Sequence, residues 1–191
     1  MAVRDLTLLT AADFDNFIAD HVGDEIYEFV DGKVVQVPSN PWVSNIAGMI
    51  FSLIWLHLRT TGLPVNTLTG ADGGFMVNGQ RFAPDVAYVG PDKRFVDRGY
   101  NPDPPDLAVE VVSDEDNRTE LNDLAAKLPH YRAAGVTVWV ILPRAQRAEI
   151  HDPAADPAQP PGQLGPDDDL QVPDLLPGFS LPLREIFSET D

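Results

Sequence analysis

A carboxylate inside an apolar run constrains this chain more than any other feature. Glu110 stands within Leu107-Ala108-Val109-Glu110-Val111-Val112, whose β-branched content predicts a buried strand. A lone buried charge costs several kcal/mol, so Glu110 must be protonated, paired with a cation or held on a metal. Strand alternation puts Ala108, Glu110 and Val112 on one face and Leu107, Val109 and Val111 on the other. A second apolar run, Val86-Ala87-Tyr88-Val89, is entered through Pro84-Asp85. Asp106 has the parity of Glu110 but lies about 13 Å away along the strand, too far to share an ion. Asp85 can share one if the two strands pair in register, since neighbouring strands are roughly 5 Å apart. Two carboxylates on two short strands then form a divalent-cation site.

The same residues also fit a plainer arrangement, with Asp85 capping a turn and Glu110 paired to an arginine such as Arg81 or Arg118. The Pro-Asp dipeptide carries no weight by itself, because it recurs at 91–92, 102–103, 105–106, 166–167 and 173–174.

Charge sets a second bound. The 191 residues carry a net charge of −17, and the only lysines are Lys33, Lys93 and Lys127. Residues 152–191 hold nine acids against one arginine, yet the remainder still has 21 acids against 12 bases. Binding a polyanion therefore has to rely on local bases or on bound cations. A hydrophobic fraction of 43% fits a globular protein able to bury a core. No cysteine is present, which excludes disulfides and thiolate zinc sites and fits a cytoplasmic protein. The N-terminal residues lack a signal-peptide apolar core, and no run is expected to reach membrane-span length.

One domain over 1–191 is expected. Its N-terminal helical segment covers 1–24, with Thr10-Ala11-Ala12-Asp13 as the helix start. Ile26–Val30 and Lys33–Val37 flank Asp31-Gly32, a two-residue hairpin signal. Residues 43–61 trace a helix face through Ile46, Ile50, Leu53, Ile54 and Leu58 and predict a buried core helix. Residues 65–82 suggest a strand, a loop and a strand, without a phosphate-loop ending. A helix is expected from about 117 to 134, kinked or irregular at Pro129 and ended by Gly135. Val136–Leu142 and Arg147–His151 predict a strand hairpin. Residues 153–173 predict an exposed loop rich in Pro and Asp, and 174–191 an apolar closing segment. Strands alternating with helices give a mixed α/β (α+β) fold, a sheet flanked by helices.

Lys127 falls on the flank of the 117–134 helix. Beside a two-carboxylate site its ammonium would favour hydroxide and offset charge developing on a phosphate; otherwise it is a surface lysine on a helix edge. The four histidines, 21, 57, 130 and 151, form no zinc-ligand spacing, and His130 is expected on the helix surface.

These residues together resemble a known family. Tyr27-Glu28-Phe29-Val30-Asp31-Gly32, Pro84-Asp85, Asp106 to Ser113, Lys127 with Tyr131, and Ala134-Gly135-Val136 follow the order and spacing of the Uma2 family (the DUF820 type). Leu176-Pro177-Gly178-Phe179 is similar too, so the resemblance spans roughly residues 25–187. Uma2 proteins are grouped with endonucleases of the PD-(D/E)XK superfamily. The resemblance implies a restriction-endonuclease-like core with a central mixed sheet. It implies Asp85 and Glu110 as ligands of Mg²⁺, with Mn²⁺ as a substitute, and the Val111 backbone carbonyl as a further ligand. Val112 stands where the superfamily's usual lysine would be, which nominates Lys127 as a migrated lysine. Glu28 matches an acidic position and becomes an auxiliary ligand, unless it is a hairpin residue facing solvent. The implied activity is metal-dependent hydrolysis of DNA, and a homodimer follows by the same analogy.

Two departures stand out. Many relatives have a histidine where this chain has Val43. After Ser113 comes Asp114-Glu115-Asp116, acids that would repel phosphate unless they recruit a second cation. These acids favour two alternatives: a non-catalytic binding or assembly module on the nuclease fold, or a hydrolase of smaller phosphate esters.

Overall fold

Asp31 and Gly32 take φ of 47° and 83°, the left-handed pair of a type I′ turn. They join strand β1 (Tyr27–Val30) to β2 (Lys33–Gln36), with Phe29 opposite Val34. The structure is a computed structural model that describes residues 10–20, 26–37 and 40–187. The rest of the N-terminal segment, His21 included, and the last four residues of the closing segment lie outside the described residues. Thr10 starts helix α1 (Ala11–Asp20) as expected: its Oγ1 accepts the Asp13 N–H at 3.2 Å. Phe14 of α1 is fully buried against Phe29, ring centroids 5.7 Å apart.

Helix α2 (Pro41–Thr61) begins at Asn40, whose side chain accepts the Trp42 N–H at 3.0 Å. It ends at Gly62, φ 69°, where a left-handed cap suits glycine. Val43, Ile46, Ala47, Ile50, Ile54 and Leu58 form its buried stripe. Two expectations are corrected here. The helix is buried on one face only, because Trp55 and Leu56 point outward at 45% and 57% exposure. A run of spanning length does exist: by length and composition alone the 21-residue α2 is apolar enough to cross a membrane, although its inner stripe is a wall of the core.

Residues 65–82 contain three strands rather than two: β3 (Thr67–Gly70), β4 (Phe75–Val77) and β5 (Gln80–Phe82). Asn78-Gly79, at φ 46° and 82°, makes a second type I′ turn between strands of three residues each. β5 also pairs with β1, giving a four-stranded sheet in the order β2-β1-β5-β4.

The larger sheet has the order β10-β9-β8-β7-β6-β3. It contains β6 (Val86–Val89), β7 (Leu107–Val111), β8 (Thr137–Leu142), β9 (Arg147–His151) and β10 (Gly162–Leu164). β7 and β8 run parallel, joined across helix α3 (Arg118–Ala133), and the other pairs are antiparallel, so the sheet is mixed. Alternation along β7 sorts its residues as the sequence predicts. Leu107, Val109 and Val111 pack with the α2 stripe, whereas Ala108 and Val112 pack with Tyr131 of α3. The sheet thus has a helix on each face. α3 continues past Pro129 as a regular helix to Ala133. It closes with Gly135 at φ 74° and the Val136 N–H on the Tyr131 carbonyl at 3.0 Å, a Schellman ending.

The stretch 153–173 is not wholly a loop. β10 extends the sheet by pairing with β9, and β11 (Asp169–Leu170) pairs with β12 (Leu181–Pro182). Leu170 and Val172 are buried beside the closing helix α4 (Leu183–Phe187), two apolar anchors in an otherwise polar stretch.

Candidate active site

The register condition set by the sequence is met. β6 and β7 pair antiparallel with Val86 opposite Val109, and one further step along that register places Asp85 opposite Glu110. Asp85 sits just before β6, partly exposed at the rim, and its Oδ2 accepts the Val111 N–H at 2.7 Å. Val111, whose carbonyl the resemblance nominates, is therefore tied to the same strand end.

Glu110 points to the α3 side of the sheet and meets Lys127. The Lys127 ammonium lies 2.8 Å from Glu110 Oε1 and 2.9 Å from Oε2. It also reaches Glu28 on β1, at 3.1 Å to Oε1 and 3.2 Å to Oε2. Glu28 Oε1 accepts the Ala83 N–H at 2.7 Å. Tyr131, one turn after Lys127 on the same helix face, donates its hydroxyl to Glu110 Oε1 at 2.7 Å. The ammonium lies 5.7 Å from the centroid of the Phe82 ring. Two sheets and one helix thus converge on this cluster.

Three plainer readings fall to this geometry. Lys127 is only 6% exposed, not a surface lysine, because its stem runs inward to two carboxylates. Glu28 is 4% exposed, not a solvent-facing hairpin residue. Among the described residues Glu110 has no arginine partner: Arg81 binds Asp15 at 2.8 Å and Arg118 is exposed. Val112 is packed among apolar residues, so β7 itself brings no cation to the site.

The electrostatics follow from enclosure. Burial pulls Lys127 down, but the charges of Glu110 and Glu28 outweigh it and hold the ammonium above the ordinary lysine range. Burial raises Glu28 above the usual carboxylate value, opposed by Lys127. Burial and then the Glu110 charge push Asp85 up to about 7. Burial, reinforced by Glu110, raises Tyr131 well above an ordinary phenol, so it stays a donor.

The cluster at 114–116 has a structural occupation. Glu115 Oε1 accepts the Arg144 and Ala145 N–H groups at 2.8 and 3.1 Å, and Asp114 pairs with Arg144 at 3.2 Å. These acids brace the β8–β9 turn. His130 is not a free surface residue either. Its Nε2 lies 2.8 Å from Asp31 and its Nδ1 3.0 Å from the Asn78 amide, linking α3 to both type I′ turns. In the sequence Tyr131 stands out only beside Lys127 in the family pattern, and its spacing of four from that lysine is the signal that both reach one target.

Comparisons with known proteins agree with this architecture. The family model for Uma2, described as "Putative restriction endonuclease", matches residues 13–184. A crystal structure described as "a putative nuclease belonging to DUF820", from Anabaena variabilis, superposes with a TM-score of 0.73 at 18% identity. That match covers 91% of this chain and 96% of the other, and it establishes the shared fold. No curated protein gives a significant match. A sheet with Asp85 and Glu110 on adjacent strands, on a chain matched over 13–184, makes this protein a member of the Uma2 family, with the fold of a restriction-endonuclease-like nuclease.

Proposed function

We propose that this protein is a divalent-cation-dependent endonuclease that hydrolyses DNA phosphodiester bonds. One observation carries the reading: Glu110 and Glu28 share a single buried ammonium, with Asp85 beside Glu110 at the rim of the site. In their ionised forms these groups sum to −2, which one divalent cation balances.

The residues fit Mg²⁺ or Mn²⁺ of modest protein coordination. Among the described residues, no three or more His, Asp or Glu side chains form a ligand cage. Mg²⁺ commonly takes one or two carboxylates and fills its remaining positions with water and substrate phosphate. Asp85 and Glu110 would supply those carboxylates, and the Val111 carbonyl a third oxygen. Glu28, the auxiliary ligand that the resemblance implies, has both oxygens facing Lys127, and one also holds the Ala83 N–H. Its part in this reading is to hold Lys127.

When bound, the cation acidifies water and offsets charge on the phosphate. Lys127, kept as an ammonium by its two carboxylates, does not take a proton from water. It stabilises the negative charge that develops during in-line displacement. Asp85 at the rim is the acid nearest to solvent, where a DNA phosphate can approach. The net charge of −17 makes DNA binding depend on the cation, so affinity should fall when the cation is removed.

Cleavage of plasmid DNA with Mg²⁺ and with Mn²⁺ tests the proposal. Glu110→Ala should lose about 100-fold or more, since a Lewis-acid cation contributes several kcal/mol to such barriers. Equal cleavage by both proteins, or none by the wild type with either cation, would overturn it and favour a non-catalytic module.

A further inference from the structure

Glu110 is held by two donors from one helix, and only one of them is charged. Tyr131 is fully buried, with its ring 5.0 Å from that of Phe82 and within the apolar cluster of Val112, Val136 and Val138. The ring has no room to swing, and its hydroxyl has Glu110 Oε1 as its acceptor at 2.7 Å. An unsatisfied buried hydroxyl is costly, so the bond constrains the carboxylate as much as the phenol.

A carboxylate has about four lone-pair directions, two on each oxygen. On Oε1 Tyr131 takes one, at 2.7 Å. On Oε2 Lys127 takes one, at 2.9 Å. We infer that Tyr131 is a positioning residue: its bond to Oε1, with Lys127 on Oε2, fixes the plane of Glu110 in the orientation that serves a cation shared with Asp85. This inference rests on the cation reading above for its function, but its geometric content stands apart from that reading.

Tyr131→Phe removes the hydroxyl and keeps the ring. Two measurements are made on the full chain, a crystal structure of the variant and Mn²⁺ titration by calorimetry, with cleavage kinetics alongside. The Glu110 carboxylate should rotate from its wild-type plane, and Mn²⁺ binding should weaken by about 10-fold or more, as for other partners that orient a metal ligand. The loss should appear in kcat with KM for DNA nearly unchanged. An unmoved carboxylate, or an unchanged Mn²⁺ dissociation constant in a variant whose wild type binds Mn²⁺, would overturn the inference. A wild type that binds no Mn²⁺ would sink the cation reading instead, and the position of Glu110 in the variant would then decide the role of Tyr131.

Discussion

The antiparallel pair β6–β7 has two ends built on one local plan. Each strand is entered through a Pro-Asp pair, Pro84-Asp85 and Pro105-Asp106. Each aspartate accepts a backbone N–H at the exit of the neighbouring strand, Asp85 from Val111 at 2.7 Å and Asp106 from Gly90 at 2.6 Å. The surroundings then diverge. Asp106 faces Lys93 at 2.7 Å, and that ammonium also donates to the carbonyls of Pro104 and Pro105. One acid meets one base, both about a quarter exposed, and the end is a balanced brace. At the other end Glu28 and Glu110 share Lys127 in an enclosed space with Asp85 at its rim, so three acids meet one base and the balance fails by two charges. The dipeptide is the same, and what differs is the charge that other elements bring to it.

Removing each lysine gives the sharpest contrast. Lys127→Met leaves Glu28 and Glu110 facing each other without a cation, and should cost about 3–5 kcal/mol in denaturant unfolding. Lys93→Met, at the more exposed end, should cost about 1 kcal/mol or less. Equal losses would erase the distinction between the two ends.

Removing each aspartate's charge should give opposite signs. Folded Asp85 has its carboxyl at about 7, above the ordinary 3.8, so between these values the folded state binds more protons than the unfolded state. Without added cation, stability therefore falls as pH rises from about 4 to about 7 and levels off above. Asp85→Asn should remove that slope and gain about 2 kcal/mol at pH 8, a rise of roughly 4–8 °C in melting temperature. Asp106→Asn loses its ion pair and should be destabilising by about 1 kcal/mol. Thermal melts between pH 4 and pH 8 check both. A stabilised Asp85→Asn variant that no longer cleaves DNA would show stability given up for function.

The smallest expected effect is at the acidic cluster. Asp114→Ala breaks an exposed pair with Arg144 and should change stability by less than about 0.5 kcal/mol. Mn²⁺ affinity should not change, because these acids face the β8–β9 turn. A clear loss of affinity in titration would return the cluster to the site.

What was legible in the sequence was whatever a short period or a turn dipeptide encodes. The alternation along Leu107–Val112 predicted which residues face α2 and which face α3, because a strand's period of two admits only one sorting. Thr10, Asp31-Gly32 and Gly135 marked boundaries through local backbone chemistry. Asn78-Gly79 was equally explicit, but three-residue strands carry too little alternation to frame it. The site was half legible. A buried acid demands a partner, so Glu110 could be singled out, and the family pattern added Asp85 and Lys127. That Glu28 completes the lysine's shell depends on how the four-stranded sheet docks, which no local pattern encodes. Neither could the sequence show that Asp114 and Glu115 are occupied by Arg144 and its neighbour, a contact formed across about 30 residues.

The long reach of Lys127 has a consequence for the order in which the molecule is made. It contacts Glu28 across 99 positions and Glu110 across 17, and Tyr131 follows four residues later. During synthesis from the N-terminus both acids exist before the residues that neutralise and orient them. Until α3 is complete, closing the two sheets over Glu28 and Glu110 would bury two unpaired charges, so the fold has an electrostatic reason to wait. Any chain that stops before residue 127 holds the acidic ligands without their ammonium, and a complete site comes only with a nearly finished domain.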